Sequence, residues 1–485
     1  MKKDNFKKTD LFILSFILIT AFIFRLYKIN IPLADLHSWR QADTAAVARN
    51  FVNKGFDLLH PLYDDLSNVQ SGLDNPQGYR MVEFPIYNII FAYLYKLWPI
   101  FSLEVWGRLV SMFFSLIIIA VIYYLTLKEV NRLAAFFASI IYAVFPFFVF
   151  FSRVILPETT ALGFAFLSIF FLYLFSQKTN HYSLITIHYF LSLIFLSISL
   201  LIKPTVIFYG ITLLYLFYLK FKKKTLKNPF FYFYFFIAFL PLLLWRLYIK
   251  NCPQGIPVSE WLITSVNTAS GLQKIFFRPA FFRWIFFERI NNLIFGGCLT
   301  VFFILGVFLK QKKFLLFNIL IAAFVYLFVF QGGNVQHEYY QTLILPALAI
   351  FSGIGASYLL KNPKQFLQPA ISSLFIVFIF AFSWFFSFYQ VRDYYSYSTD
   401  LVQMAKIISS LTDKEDKVVT DRQGDTTLLY LAERRGAPAI YKNPGELKKL
   451  GYKYLVTNNS QMIDKMKTSF YPLIFSNDKF SIFSL

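Results

Sequence analysis

Eleven apolar runs, each close to the roughly 20 residues a helix needs to cross a bilayer, limit what this chain can become. They lie near 11–27, 105–127, 134–151, 158–175, 184–201, 204–219, 230–249, 292–309, 314–331, 340–360 and 367–388. Within hydrocarbon every backbone N–H and C=O needs a partner inside the protein, so runs of this kind form helices. The expected class is a mainly α, polytopic helical membrane protein. Composition agrees, since 57% of the residues are hydrophobic and Phe alone supplies 63. The basic head MKKDNFKK precedes the first run and no small-x-small cleavage site follows it, which predicts an uncleaved anchor with a cytoplasmic N-terminus.

The net charge of +21 would ordinarily suggest nucleic acid. Here the basic residues gather in short loops between apolar runs and no nucleic-acid motif is present, so the reading is the positive-inside bias and no nucleic acid partner. Parity then decides the segment IYNIIFAYLYKLWPI at 86–100. If it does not cross, Lys128/Arg132, KFKKKTLK (220–227), KQKK (310–313) and KNPK (361–364) all face the cytoplasm. It is therefore expected to be an interfacial or re-entrant helix between Pro85 and Pro99. Cys252 and Cys298 form no zinc or disulfide pattern.

The chain divides into a membrane part, 1–390, and an extracytoplasmic α/β domain, 391–485. In the latter, STDLVQMAKIISSL predicts an amphipathic helix, and KVVTDR, YKYLVTN and FYPLIF predict strands. TTLLYLAERRG predicts a further helix with Gly436 as its C-cap.

The candidate site starts at LADLHSWRQADTAAVARNF, Leu33–Phe51. Ser38 and Gln41 have capping-box spacing, and Lys54–Gly55 is a stop signal. Trp39, Ala42, Ala46, Val47 and Phe51 make an apolar stripe that places the helix in the membrane interface. Asp35 and His37 precede its N-terminus, a natural anion site. Asp43 lies at i+3 from Arg40, where the plain alternative is a surface ion pair. Glu83 precedes Pro85, Glu158 starts an apolar run in SRVILPETT, and His337, Glu338, Tyr339 and Tyr340 crowd the mouth of another. Polar groups this dense beside apolar spans point to a site.

These stretches resemble the polytopic GT-C glycosyltransferases of the protein O-mannosyltransferase (dolichyl-phosphate-mannose-protein mannosyltransferase-like) and aminoarabinose-transferase type. The family form D-E-x-x-Y-A-x-x-A-R is matched here through Ala45, Ala48 and Arg49, while its acidic pair falls on Arg40 and Gln41. Glu83-Phe84-Pro85-Ile86 is similar to the family's E-K-P-P, and GRLVS (107–111) and SRVILPE (152–158) fall in the expected order. The resemblance implies transfer of a sugar from a polyprenyl-phosphate carrier to a hydroxyl on a glycan, lipid or protein acceptor, outside the membrane and with inversion. It implies a carboxylate base, Asp35 or else Asp43. It also implies cations for the lipid phosphate, from Arg40, Arg80, Arg153, Lys203, Arg278 and Arg283, with His37, Glu158, Tyr339 and Tyr340 around the substrate. It fixes no cofactor, and Glu83 and His337 could ligate a divalent metal as in some relatives. The rival expectations are an oligosaccharide ligase or polymerase and a lipid or sugar flippase. A flippase would show repeats and mid-membrane charges, which are absent from the sequence.

Overall fold

A computed structural model describes residues 6–177, 182–258, 277–309, 314–361 and 368–485. The basic run at 310–313, most of that at 361–364 and the middle of the outer loop 250–291 lie outside these residues. The helices are α1 (Lys8–Arg25), α2 (Ser38–Lys54), α3 (Ile86–Leu97), α4 (Leu103–Glu129), α5 (Arg132–Val144), α6 (Pro146–Phe151), α7 (Pro157–Ser176), α8 (Tyr182–Ile202), α9 (Gly210–Phe221) and α10 (Pro229–Tyr248). They continue as α11 (Pro279–Phe282), α12 (Thr300–Phe308), α13 (Leu315–Val329), α14 (Gln331–Gln336), α15 (Leu345–Lys361), α16 (Pro369–Val391), α17 (Thr399–Leu411), α18 (Thr427–Leu431), α19 (Pro444–Lys449) and α20 (Ser460–Thr468). Each of the eleven expected runs falls on helix. Among the described residues, six helices are long and apolar enough to cross a membrane by themselves. The fold is that of a helical polytopic membrane protein with a small α/β part. Helix α3 has 12 residues. At about 1.5 Å per residue it falls well short of a bilayer of roughly 30 Å.

The chain groups into two compact units, one of residues 1–29, 108–244 and 262–394, the other of 30–107, 245–261 and 395–485. The C-terminal residues therefore share a unit with the segment that follows the first helix.

In the first unit, Pro146 stops α5 by restricting Phe145 to an extended conformation, ψ 134°. Three carbonyls at this break would lack helical partners. Arg25 donates to two of them, Ala143 O at 2.8 Å and Tyr142 O at 3.0 Å, and also to Ser152 Oγ at 2.8 Å. Trp384 Nε1 donates to the third, Val144 O, at 2.8 Å. At the other end of α1, Asp10 is buried and accepts from Arg132 Nε at 2.6 Å and Tyr123 OH at 2.9 Å. Helix α15 comes so close to its neighbours that a Cβ at Gly355 would lie 2.0 Å from Phe302 O of α12. A Cβ at Gly353 would lie 2.3 Å from Ala138 N of α5. Small residues at such crossings let backbones approach where lipid supplies no hydrophobic drive.

In the second unit, strands β1 (Lys417–Thr420), β2 (Gly436–Ala437), β3 (Tyr452–Thr457), β4 (Leu473–Ser476) and β5 (Ser481–Ser484) pair in the order β2-β1-β3-β5-β4. β1 is parallel to β2 and β3, and β5 is antiparallel to β3 and β4. Alternation along β1 sends Val418 to one core, with Ile408, Leu428 and Ile482, and Val419 to the other, with Leu447, Leu455 and Phe483. The outer edge of β2 is covered by the loop after α2: Asp65 bridges Gly436 in parallel, with Gly436 N bonded to Asp64 O at 2.8 Å and Leu66 N to Gly436 O at 2.7 Å.

Two sequence expectations need correction here. The helix expected over TTLLYLAERRG ends at Leu431, before a left-handed Glu433 (φ 53°). Gly436 is a strand residue and not a C-cap, because a Cβ there would lie 1.8 Å from Val418 O of β1.

Replacing Gly355 with Val is expected to separate α15 from α12 and cost about 2 kcal/mol, read as a lower melting temperature in detergent. Gly210→Ala, where a Cβ would meet nothing within 4 Å, is the control and should leave the melt unchanged.

Candidate active site

The capping box expected at Ser38 and Gln41 does not form. His37 takes the N-cap position in the left-handed region, φ 58°, with no side-chain cap. Gln41 Nε2 turns back to Asp35 Oδ1 at 2.7 Å and Leu36 O at 3.0 Å. The left-handed turn at His37 is what brings the loop back over the first turn of α2. Asp35 is thereby held, 3% exposed, just ahead of the helix.

Helix α2 is also not the half-wet interfacial helix expected from its stripe. Arg40 to Ala48, Asn50 and Phe51 are all buried. Ala42, Ala45, Ala46 and Ala48 present almost no side chain, so neighbouring segments close in from every direction. Asn88 Nδ2 of α3 reaches the carbonyl of Thr44 at 2.6 Å. Arg49 Nη1 reaches Tyr430 O at 2.6 Å, and its guanidinium lies 4.3 Å from that ring's centroid. Tyr430 OH in turn donates to Glu104 at 2.6 Å. The C-terminus is as expected, with Gly55 at φ 100° donating to Phe51 O.

Arg40 and Asp43 do not form a surface pair with one another. Arg40 Nη2 meets Glu83 Oε1 at 2.6 Å. Asp43, 1% exposed, takes Thr426 Oγ1 on Oδ1 at 2.7 Å and Arg80 Nη2 on Oδ2 at 3.2 Å. Arg80 is also bonded to Gln70 Oε1 at 2.8 Å and lies 5.2 Å from the centre of the Tyr63 ring. Burial pushes the Asp43 carboxyl up from the ordinary carboxylate range, while Arg80, Thr426 and Arg40 pull it back.

A third acid was not singled out from sequence. Asp65 is fully buried and accepts from Ser67 Oγ at 2.6 Å and Ser67 N at 2.8 Å. Burial raises it to about 7, Asp43 adding to the rise. Its neighbour Asp64 binds Arg49 at 2.5 Å. The doublet YDDLSN lies in a loop with no periodicity, so only its polarity was readable.

The remaining candidates belong to the other unit. Glu158, in the first turn of α7, pairs with Lys203 at 2.9 Å, both nearly fully buried, and Lys203 Nζ stands 5.6 Å from the Tyr340 ring centre. His337 stacks on Tyr339 at 5.3 Å, Tyr339 packs on Tyr340 at 4.4 Å, and Glu338 binds Arg289. Arg153 Nη1 donates to the carbonyls of Tyr27 at 2.8 Å and Lys28 at 3.1 Å. Arg283 is largely exposed and pairs with Glu288. Glu83 already lends an oxygen to Arg40. Among the described residues no three His, Cys, Asp or Glu side chains stand together as a metal site.

Buried acids and arginines thus gather on α2 and its loops, after the first apolar anchor of a polytopic helical chain. Residues 85–245 match the family model described as dolichyl-phosphate-mannose-protein mannosyltransferase. The fold is similar to ArnT from Cupriavidus metallidurans bound to undecaprenyl phosphate, with TM-score 0.65, 12% identity and 97% of each chain covered. It is also similar to the Archaeoglobus fulgidus oligosaccharyltransferase in complex with zinc and sulfate, with TM-score 0.59, 12% identity, 92% of this chain and 67% of that one. A third likeness is to the arabinofuranosyltransferase AftD from Mycobacteria, with TM-score 0.54, 12% identity, 100% of this chain and 42% of that one. No curated protein sequence matches the chain at a significant level.

Asp65 has an ordinary carboxyl pKa of 3.8 when unfolded and about 7 when folded. Between these values the folded protein holds the extra proton, so the contribution of Asp65 to stability falls as pH rises from about 4 to 7. Asp65→Asn should therefore melt higher than the wild type at pH 8, with the difference gone near pH 4. A gap that is flat across this range would show that Asp65 is ionised throughout.

Proposed function

We propose that this chain is a membrane glycosyltransferase that moves a sugar from a polyprenyl-phosphate carrier to an acceptor hydroxyl on the extracytoplasmic side. In this reading the N-terminus lies in the cytoplasm and the C-terminal α/β part outside, as the basic loops between the apolar runs suggest. The observation that carries the reading is Asp35, a buried carboxylate fixed by Gln41 just ahead of α2, whose first turn carries Arg40 paired with Glu83. The family match over residues 85–245 and the shared fold support it.

In this reading Asp35 takes the proton of the acceptor hydroxyl. The acceptor oxygen attacks the anomeric carbon, the bond from that carbon to the phosphate oxygen breaks, and its electron pair leaves on the phosphate. Attack opposite the leaving group inverts the centre. Arg40 supplies positive charge where the phosphate charge develops, because a guanidinium already oriented by Glu83 needs little reorganisation. Asp43 is the weaker candidate for the base, since Thr426 donates to one of its oxygens and the charge of Arg80 stands 3.2 Å from the other. Lys203, beside Glu158 and Tyr340, is the phosphate candidate of the other unit. No step is assigned to a metal.

The test uses the purified protein in lipid nanodiscs with radiolabelled polyprenyl-phosphate sugars and a cell-envelope extract as acceptor. Asp35→Asn is expected to lower turnover by about a hundredfold or more. A folded Asp35→Asn protein that keeps the wild-type rate removes Asp35 as base. Preference for a lipid-linked oligosaccharide over a monosaccharide donor would favour the ligase reading that the oligosaccharyltransferase likeness supports.

A further inference from the structure

The loop between β1 and α18 and the first residue of α18 lie in the C-terminal part of the chain, yet they carry two hydroxyls that end on α2. Thr426 Oγ1 donates to Asp43 Oδ1 at 2.7 Å and lies 3.3 Å from the Trp39 carbonyl. Thr427 Oγ1 donates to Ser38 Oγ, the first residue of α2, at 3.0 Å. Both threonines are buried. The loop is itself fixed: Asp425 Oδ1 accepts from Thr427 N at 2.8 Å, and Arg422 N and Gly424 N both donate to Pro438 O. Gln423 at φ 52° and Gly424 at φ 96° make the tight reversal that this requires.

The first turn of α2 has no capping side chain of its own, so these two hydroxyls supply anchors that the local sequence lacks. We propose that Thr426 and Thr427 are positioning residues for the carboxylates of α2: they fix the turn that follows Asp35 and hold Asp43 so that its second oxygen stays on Arg80. The C-terminal α/β part is then a component of the active site and not a cover for it. This inference rests on the reading of α2 as the catalytic helix.

Electrostatics point the same way. Asp43 faces Arg80, Arg40, Asp64, Asp65 and Tyr63 as well as Thr426. Burial opposes its ionised form, and the Thr426 hydroxyl is among the groups that keep it charged. Without that hydroxyl, Asp43 takes up a proton at higher pH and loosens its hold on Arg80.

The experiment compares Thr426→Val, Thr426→Ser, Thr427→Val and Asp35→Asn in the nanodisc assay with radiolabelled undecaprenyl-phosphate mannose, across pH 5 to 9. Thr426→Val should lower kcat about tenfold while the KM for the lipid donor stays within about twofold, since the hydroxyl does not touch substrate. The acidic limb of its kcat/KM profile should move to higher pH, and Thr426→Ser should keep most of the wild-type rate. Thr427→Val should lower kcat with no shift of that limb. Should the valine protein not fold, the ratio of Thr426→Ala to Thr426→Ser decides in its place. If Asp35→Asn is inactive but Thr426→Val keeps the wild-type kcat and limb, the positioning role is wrong and the reading of α2 survives. Equal losses in the valine and serine variants also overturn it. An active Asp35→Asn points instead to failure of the underlying reading.

Discussion

The hydrogen-bonding demand of the backbone inside an apolar protein governs the rest of this structure. Where α5 breaks before Pro146, Arg25 and Trp384 reach in from other helices to the carbonyls of Tyr142, Ala143 and Val144. The guanidinium of Arg25 is fully buried and fans out to four acceptors. A planar cation with five donors suits such a break, because a single side chain replaces several lost helical bonds. Arg153 does the same for Tyr27 and Lys28 after α1.

The second unit meets a different difficulty, that of burying charge. Helix α2 and its loops bury Asp35, Arg40, Asp43, Asp64, Asp65 and Arg80. A lone charge in such surroundings is costly, so each is tied to a partner. The ties run between segments: Arg40 to Glu83, Arg49 to Asp64, Arg80 to Asp43, Thr426 to Asp43. Such a network favours one arrangement over others, which is what general base catalysis needs of a carboxylate.

Much of the architecture was legible in the sequence because it rests on local signals. The apolar runs became helices, the segment at 86–100 became a helix too short to span, and KVVT and YKYLVT became the parallel centre of a sheet. The parts that were not legible depend on distant partners. The spacing of Ser38 and Gln41 suggested a capping box, but His37 takes the N-cap position and Gln41 Nε2 donates to Asp35. Trp39, Ala42, Ala46, Val47 and Phe51 read as one face of an interfacial helix, whereas Arg40 to Ala48 are all buried because distant segments pack on the polar residues as well. Asp65 and Thr426 carried no signal at all, since their meaning comes from Asp43, Arg80 and Ser67 in the folded chain. Gly436 looked like a helix stop and is a strand residue only because β1 lies against it.

The backbone pairing of Asp64–Leu66 with Gly436 has a consequence for the order in which this protein is built. Asp43 and Thr426 stand 383 residues apart in sequence, and the sheet edge they flank cannot close until β1 and β2 have been synthesised. Contacts of such long range form late and slowly. The early loop therefore gains its strand partner only when β1 and β2, in the last fifth or so of the chain, have been made, and until then its acids rest on partners within the early segment alone.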